Sequence, residues 1–185
     1  MVIFRSLDLS LPDHCMFWAA CNLAYFGFLH SAEFTVPNLA SFSPSIHLGL
    51  ADVAVDSMSS PSSLRLHIKA SKTDPFRKGC FLHIGTCELP LCAIDSLLAY
   101  VPLRGAAPGP LFLFRDSRPL TRALLTSWLR DIFSSAGIQG NFSHSFRIGA
   151  ATVAARNGIP DHQIQALGQW ASSASNSGRV VISIV

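Results

Sequence analysis

The sequence has few charged residues and lacks the cysteine patterns that form disulfides or zinc sites in small domains. Charged residues make up 14% of the 185 residues, against 49% hydrophobic ones. This balance excludes a disordered polyelectrolyte and predicts a sizeable buried core. The five cysteines are odd in number and never form C-x-x-C, so they indicate neither a disulfide framework nor a zinc ribbon. We interpret them as reduced core thiols and predict no metal and no cofactor.

The chain also has no hydrophobic run of membrane-spanning length. The longest apolar stretch, residues 15–29, is interrupted by Asn22 and falls short of the ~18 residues of a span, so it predicts a buried helix. No basic segment precedes it and no cleavage pattern follows, which argues against a signal peptide. We expect a single intracellular domain over residues 1–185, nuclear in a eukaryote and otherwise cytoplasmic. The net charge of +3 permits a polyanionic partner without requiring one.

Periodicity along the chain predicts an α+β fold, mainly α-helical with a small antiparallel sheet. Residues 64–69 and 80–84 alternate in the period-2 pattern of half-buried strands. The turn-rich residues between them predict a hairpin with four cations at or near its tip: Lys69, Lys72, Arg77 and Lys78. Ser10 and Thr121 are candidate helix caps. Helices are predicted over 12–29, 91–101, 122–136, 144–157 and 160–167, and a short strand over 111–114.

The segment His144-Ser145-Phe146-Arg147 carries the clearest chemical signal. Positions i and i+3 share a helix face, so an imidazole and a guanidinium would meet one ligand. A group that transfers protons beside a cation that grips two oxygens suits phosphate chemistry. Leu167-Gly168-Gln169-Trp170 follows downstream, and its indole N–H is a further donor to phosphate.

The order of hairpin lysine, H-x-x-R helix and L-G-x-W resembles the catalytic domain of tyrosine recombinases, the phage-integrase family. It is most similar to the forms carried by eukaryotic mobile elements. Upstream, residues 26–34 resemble the first box of that family, in which an apolar turn leads to Arg-x-x-Glu. Here His30 stands at the arginine position and Glu33 at the glutamate position. The resemblance covers about residues 11–170.

This resemblance implies duplex DNA as the partner, with strands broken and rejoined through a phosphotyrosine and without a metal. It assigns Lys72 as the acid that protonates the leaving oxygen, with Lys69 as the runner-up. His144, Arg147 and Trp170 would contact the phosphate, and Lys69, Arg77 and Lys78 would bind DNA. A homo-oligomer on DNA is compatible with the family. The family's N-terminal core-binding domain is absent from residues 1–185, and the catalytic domain is expected to be incomplete at its C-terminal end.

Two departures from the family pattern predict impaired catalysis. His30 cannot offer the guanidinium fork of an arginine, although Glu33 could hold it protonated. The only tyrosines, Tyr25 and Tyr100, precede the expected nucleophile position after Trp170. We therefore expect DNA binding without strand transfer. The alternatives are an active recombinase that takes its tyrosine from another chain, a degenerate fold kept as a DNA- or protein-binding module, an unrelated α+β module, and a mobile-element relic.

Overall fold

The structure is a computed structural model that describes residues 1–70, 79–138, 145–167 and 180–182. Seven helices lie in this part of the chain: α1 Val2–Arg5, α2 Pro12–Phe26, α3 Ser31–Phe34, α4 Ala93–Arg104, α5 Arg122–Ser135, α6 Ser145–Arg156 and α7 Asp161–Leu167. Four strands accompany them: β1 Val53–Val55, β2 Ser63–Ile68, β3 Cys80–Gly85 and β4 Val180–Ile182. The predicted α+β class is confirmed.

Helix α2 is the centre of the core. Its residues 15–24 are all buried, and it packs against α4 and α6, because its apolar side chains cover every face rather than one stripe. The helix begins at Pro12 as predicted, but the N-cap is Leu11. The predicted Ser10 cap is wrong, since the Ser10 hydroxyl donates to Asp8 Oδ1 at 2.7 Å instead. Within the described residues, no helix combines the length and apolarity that a membrane crossing needs.

The predicted hairpin forms the middle of a four-stranded sheet in the order β1-β2-β3-β4. The first three strands are antiparallel, whereas β4 runs parallel to β3. Leu64, Leu66 and Ile68 face the core with Leu82 and Ile84. The opposite face carries Phe81, whose ring stacks on the His67 ring with centroids 4.5 Å apart. The period-2 prediction is therefore confirmed, and the sheet has one buried and one solvated face.

The connection between β1 and β2 is organised by one exposed carboxylate. Asp56 accepts hydrogen bonds from the Ser62 hydroxyl and from the backbone N–H groups of Ser57, Ser62 and Ser63. These bonds, led by the one from the Ser62 side chain, lower the pKa of Asp56 to about 2. The carboxylate therefore contributes stability above its ordinary pKa, and this contribution is lost as the pH falls towards about 2.

We expect Asp56→Asn to lower the unfolding temperature at neutral pH, because the amide accepts these bonds less strongly. The difference in unfolding temperature between the variant and the native chain should disappear as the pH falls towards 2, where the native carboxyl is itself protonated. Thermal unfolding followed by circular dichroism across this range tests the expectation. Asp131→Asn is the matched control, because it removes an exposed charge from α5. A gap that stays constant with pH would contradict the assignment.

Helix α5 begins as predicted, because the Thr121 hydroxyl accepts from the Leu124 backbone N–H at 3.2 Å. Its apolar stripe of Leu125, Leu129 and Ile132 is buried. Trp128 packs on Phe17, with ring centroids 4.2 Å apart. Its opposite face, which is polar, is solvent-exposed.

Two further predicted elements differ from the structure. The strand expected over 111–114 is wrong as a regular strand, because this segment makes only an isolated bridge from Leu113 to Pro119. Pro110 directly precedes this segment and Pro119 is the bridge partner of Leu113. Neither proline has a backbone N–H to donate to a neighbouring strand. The helix predicted over 91–101 spans Ala93–Arg104. The predicted start of α6 at His144 lies outside the described residues.

Candidate phosphate-binding site

The first-box residues His30 and Glu33 follow a tight turn at the end of α2. A Cβ at Gly27 would lie 2.8 Å from the Leu23 carbonyl oxygen, so this position needs glycine. Phe28 follows with φ +52°, a left-handed conformation that is strained for a bulky residue. The Leu29 N–H then bonds to the Ala24 carbonyl at 2.9 Å. The helix therefore ends at Phe26 rather than at residue 29, and the chain reverses into α3.

His30 and Glu33 lie at the start of α3. His30 is the N-cap rather than a residue of the first turn, and its backbone N–H donates to Glu33 Oε2 at 2.8 Å. Glu33 is 8% exposed. This is half of a capping box, in which the third helical residue reaches back to the cap. The proposed pairing of Glu33 with the His30 imidazole stays a prediction.

Arg147 lies on α6 and is 4% exposed. Burial lowers the pKa of Arg147, and the nearby Glu33 carboxylate offsets part of that effect by raising it. The fold therefore places the second-box arginine within electrostatic reach of the first-box glutamate. An anion that enters beside this guanidinium would raise its pKa and favour the charged form.

A small apolar cluster joins the first-box turn to α6 and α7. Phe28 is 2% exposed and packs with Ala150, Ala154 and Ile164. Tyr25, on α2, contacts the same cluster. The position of Arg147 relative to Glu33 therefore depends on this packing, since Arg147 lies one turn before Ala150 on the same helix.

Lys69 lies at the end of β2 and is held by oxygen atoms. Its Nζ is 2.5 Å from Asp52 Oδ2, 2.6 Å from the Pro44 carbonyl oxygen and 3.2 Å from that of His47. Asp52 also accepts from the Gly49 N–H at 2.8 Å. An ammonium has three N–H donors, and three oxygens lie within reach here. The predicted roles of Lys69 in DNA binding and as the runner-up acid stay untested.

Asp52 is a structurally important residue that the sequence reasoning missed. It is buried, and it joins the segment before β1 to the end of β2 through Lys69. The available signal was its isolation, because no other Asp, Glu, Lys or Arg lies between Glu33 and Asp56. A lone charge in an apolar stretch needs a partner when it is buried.

Five predicted site residues lie outside the described residues: Lys72, Arg77, Lys78, His144 and Trp170. The described part of the site therefore consists of His30, Glu33 and Arg147, with Lys69 on the hairpin. Among the residues that the structure describes, no group of three or more His, Cys, Asp or Glu side chains could hold a metal ion.

Neither tyrosine is placed as a free nucleophile. Tyr100 is 1% exposed, and its Oη lies 3.2 and 3.1 Å from the carbonyl oxygens of Leu111 and Leu113. It also accepts from the Leu113 N–H at 2.8 Å. Burial raises the pKa of Tyr100 to about 12, partly opposed by that backbone bond. Burial also raises the pKa of Tyr25, which is half-buried in α2.

Tyr100→Phe is expected to lower the free energy of unfolding by about 1 to 3 kcal/mol, because it removes the partner of buried backbone groups. Tyr25→Phe is the control, and we expect it to cost less than about 1 kcal/mol because Tyr25 is only half-buried. Urea unfolding of both variants provides the comparison. Equal costs would show that the Tyr100 hydroxyl has no special structural role.

Among solved structures, the structure of the lambda integrase catalytic core is similar to this chain with a TM-score of 0.59 and 14% sequence identity. The match covers 99% of this chain and 94% of that one. The chain has the fold of that catalytic core. No protein-family model and no curated protein matches the sequence. The predicted recombinase-like fold is thus confirmed at the level of architecture.

Proposed function

We propose that this chain is a tyrosine-recombinase-like domain that binds duplex DNA at a phosphate site but does not break strands. The observation that carries the proposal is the electrostatic proximity of Glu33 to the buried Arg147. The two boxes that resemble the recombinase motifs meet in space, within a fold similar to that of the lambda integrase catalytic core. A mobile-element origin, closest to eukaryotic forms, is part of the same proposal.

The buried guanidinium supports phosphate as the ligand. Burial lowers the pKa of Arg147 and the Glu33 carboxylate raises it, so a phosphate that enters beside the guanidinium would add to the stabilisation that Glu33 provides. A guanidinium can donate to two phosphate oxygens at once, which fixes the geometry as well as the charge. The attraction between the phosphate and the guanidinium is strongest if the phosphate displaces solvent near Arg147, because the local dielectric constant then falls.

The hairpin and the downstream residues complete the proposed site. Lys72 is the better candidate for the lysine that approaches the phosphate, because the Lys69 ammonium is already surrounded by Asp52 and two carbonyl oxygens. His144 and Trp170 are proposed as phosphate donors on the strength of their motifs. Arg77 and Lys78 are proposed to contact the DNA backbone.

The proposed loss of strand cutting rests on chemistry that is missing from this sequence. Phosphotyrosine formation needs a tyrosine hydroxyl beside the phosphate, but residues 171–185 contain no tyrosine and Tyr100 is enclosed by backbone groups. His30 also supplies a weaker, titratable cation where the family has arginine. Both changes reduce stabilisation of the charge that develops on a reacting phosphate.

Titration of a labelled duplex with the chain tests the binding proposal. We expect Arg147→Met to weaken binding at least about tenfold, equivalent to about 1.4 kcal/mol. The affinity of the Arg147→Lys variant should lie between those of the native chain and of Arg147→Met, because lysine keeps the charge but cannot donate to two phosphate oxygens as a planar guanidinium does. Arg156→Met, at the exposed end of the same helix, is the matched control. Unchanged affinity in a folded Arg147→Met variant would reject the phosphate site.

His30→Arg is expected to strengthen duplex binding by about tenfold, because a second fixed guanidinium would face the phosphate. His162→Arg adds the same charge at an exposed position on α7 and should have a smaller effect. Fluorescence anisotropy at several salt concentrations measures both. No gain, or an equal gain in the two variants, would argue against a place for residue 30 in the site.

A further inference from the structure

A cavity of about 290 Å³ lies between α1, α2 and α5, next to the start of α6. Five of the side chains that line it are aromatic: Phe4, Trp18, Tyr25, Phe133 and Phe146. The Phe4 and Trp18 rings pack against each other with centroids 5.3 Å apart. No Asp, Glu, Lys or Arg from the described ranges lines the cavity. This lining favours a neutral and flat apolar ligand, because aromatic rings stack on one another.

Asn22 is the polar exception in this lining. It is 2% exposed and lines the cavity from α2. Its Nδ2 donates to the Trp18 carbonyl oxygen at 3.1 Å, which fixes the orientation of the amide. Within the described part of the chain, the Asn22 Oδ1 accepts no hydrogen bond. A buried acceptor without a donor costs free energy, so a ligand that brings an N–H or O–H group to Oδ1 would gain affinity.

The volume of the cavity suits a ligand of two fused rings. An apolar protein cavity of about 150 Å³ holds a single benzene ring. The cavity beside Asn22, at about 290 Å³, has roughly twice that volume. A bicyclic aromatic molecule therefore fits the space, and one donor on its edge would match the single unpartnered acceptor.

Helix α1 forms one wall of the cavity and can admit a ligand. Val2, Ile3 and Phe4 contribute this wall, and none of the four residues of α1 is buried. Little apolar packing therefore holds α1 in place, and local opening of such a segment needs little free energy.

The cavity also borders the helix that carries Arg147. Phe146, which lines the cavity, directly precedes Arg147 in the first turn of α6. Tyr25 contacts both the cavity and the cluster around Phe28. A ligand in the cavity would therefore contact the first turn of α6 without occupying the predicted phosphate site.

We propose that this cavity binds a bicyclic aromatic molecule with one N–H or O–H donor, and that the Asn22 Oδ1 accepts the hydrogen bond from that donor. The aromatic walls supply most of the affinity by burying the rings of the ligand. Asn22 supplies the selectivity, because a ligand without a donor leaves its carbonyl oxygen unpaired. The proposal goes beyond the proposed function and does not depend on DNA binding.

A matched pair of ligands tests the role of Asn22. Indole has an N–H donor, whereas benzothiophene has nearly the same shape with a sulfur atom in place of that group. We expect the native chain to bind indole saturably. The affinity for indole relative to benzothiophene should fall at least about tenfold in Asn22→Leu, because leucine cannot accept the N–H. Both ligands experience the same change in cavity volume, so the ratio reports the hydrogen bond. Titrations followed by NMR chemical shifts give the dissociation constants.

Asn157→Leu is the matched control, because it makes the same substitution at an exposed position after α6 and should leave the ratio unchanged. An unchanged ratio in Asn22→Leu, or an equal fall in the two variants, would overturn the proposal. The native chain provides a test without any substitution, since nuclear Overhauser contacts are expected between indole and the methyl groups of Ile3 and Leu91. Absence of saturable indole binding, or of these contacts, would also overturn it. Duplex binding is measured without these ligands, so the proposed function stands or fails separately.

Discussion

Glu33→Gln is expected to lower the free energy of unfolding by about 3 kcal/mol, because it removes the carboxylate that compensates a buried guanidinium. Glu33 and Arg147 are 8% and 4% exposed. The amide keeps the shape of the side chain, so the effect reports charge rather than a cavity. For a chain of this size we expect the unfolding temperature to fall by about 6 to 12 °C.

A double-mutant cycle isolates the coupling between the two residues. Arg147→Met alone leaves Glu33 buried without this cation, and the double variant removes both charges at once. We expect the double variant to be more stable than the sum of the single changes implies, by at least about 1 kcal/mol. Strictly additive effects would show that the two boxes do not interact, which would remove the main support for the site.

Phe28→Ala is expected to destabilise the chain by about 3 kcal/mol or more, because it empties the cluster that joins the first-box turn to α6 and α7. Phe28 is 2% exposed and contacts Ala150, Ala154 and Ile164. Small alanines on the facing helix cannot fill the space by themselves. Loss of this packing should also weaken duplex binding, since it loosens the position of Arg147. Chemical unfolding and a DNA titration measure the two effects.

Phe28→Gly provides a sharper comparison at the same position. Glycine usually costs more than alanine because it has more freedom in the unfolded chain. Here the backbone has φ +52°, which glycine adopts without strain, so the order should reverse. We expect the glycine variant to be as stable as the alanine variant or more stable, by up to about 1 kcal/mol. A glycine variant that is clearly less stable would contradict the left-handed conformation of residue 28.

Local sequence signals predicted the elements whose burial follows a simple period. The hairpin follows from alternation around Leu64 and Leu82, and α5 follows from its apolar stripe and the Thr121 cap. The end of α2 could not be located in this way, because the apolar run continues through Leu29. The helix ends where Phe28 adopts a left-handed conformation with φ +52°, and hydrophobicity carries no information about this change.

Sequence motifs nominate members of the candidate site but carry no information about the contacts between them. Glu33 and Arg147 are 114 residues apart in the sequence, and only tertiary packing brings their charges together. The partner of Lys69 was not predictable either, since Asp52 belongs to no motif. Residue types and spacing can therefore nominate a phosphate site, whereas the long-range contacts decide which cations remain available to a phosphate.

The central claim, DNA binding without strand breakage, is tested most directly with a suicide duplex substrate that traps any covalent intermediate. Binding and adduct formation are measured in the same sample, by native electrophoresis and by electrophoresis in detergent. We predict a complex that forms under native conditions and dissociates completely in detergent. A protein–DNA adduct that survives detergent would contradict the account, because it would show that a nucleophile reaches the phosphate.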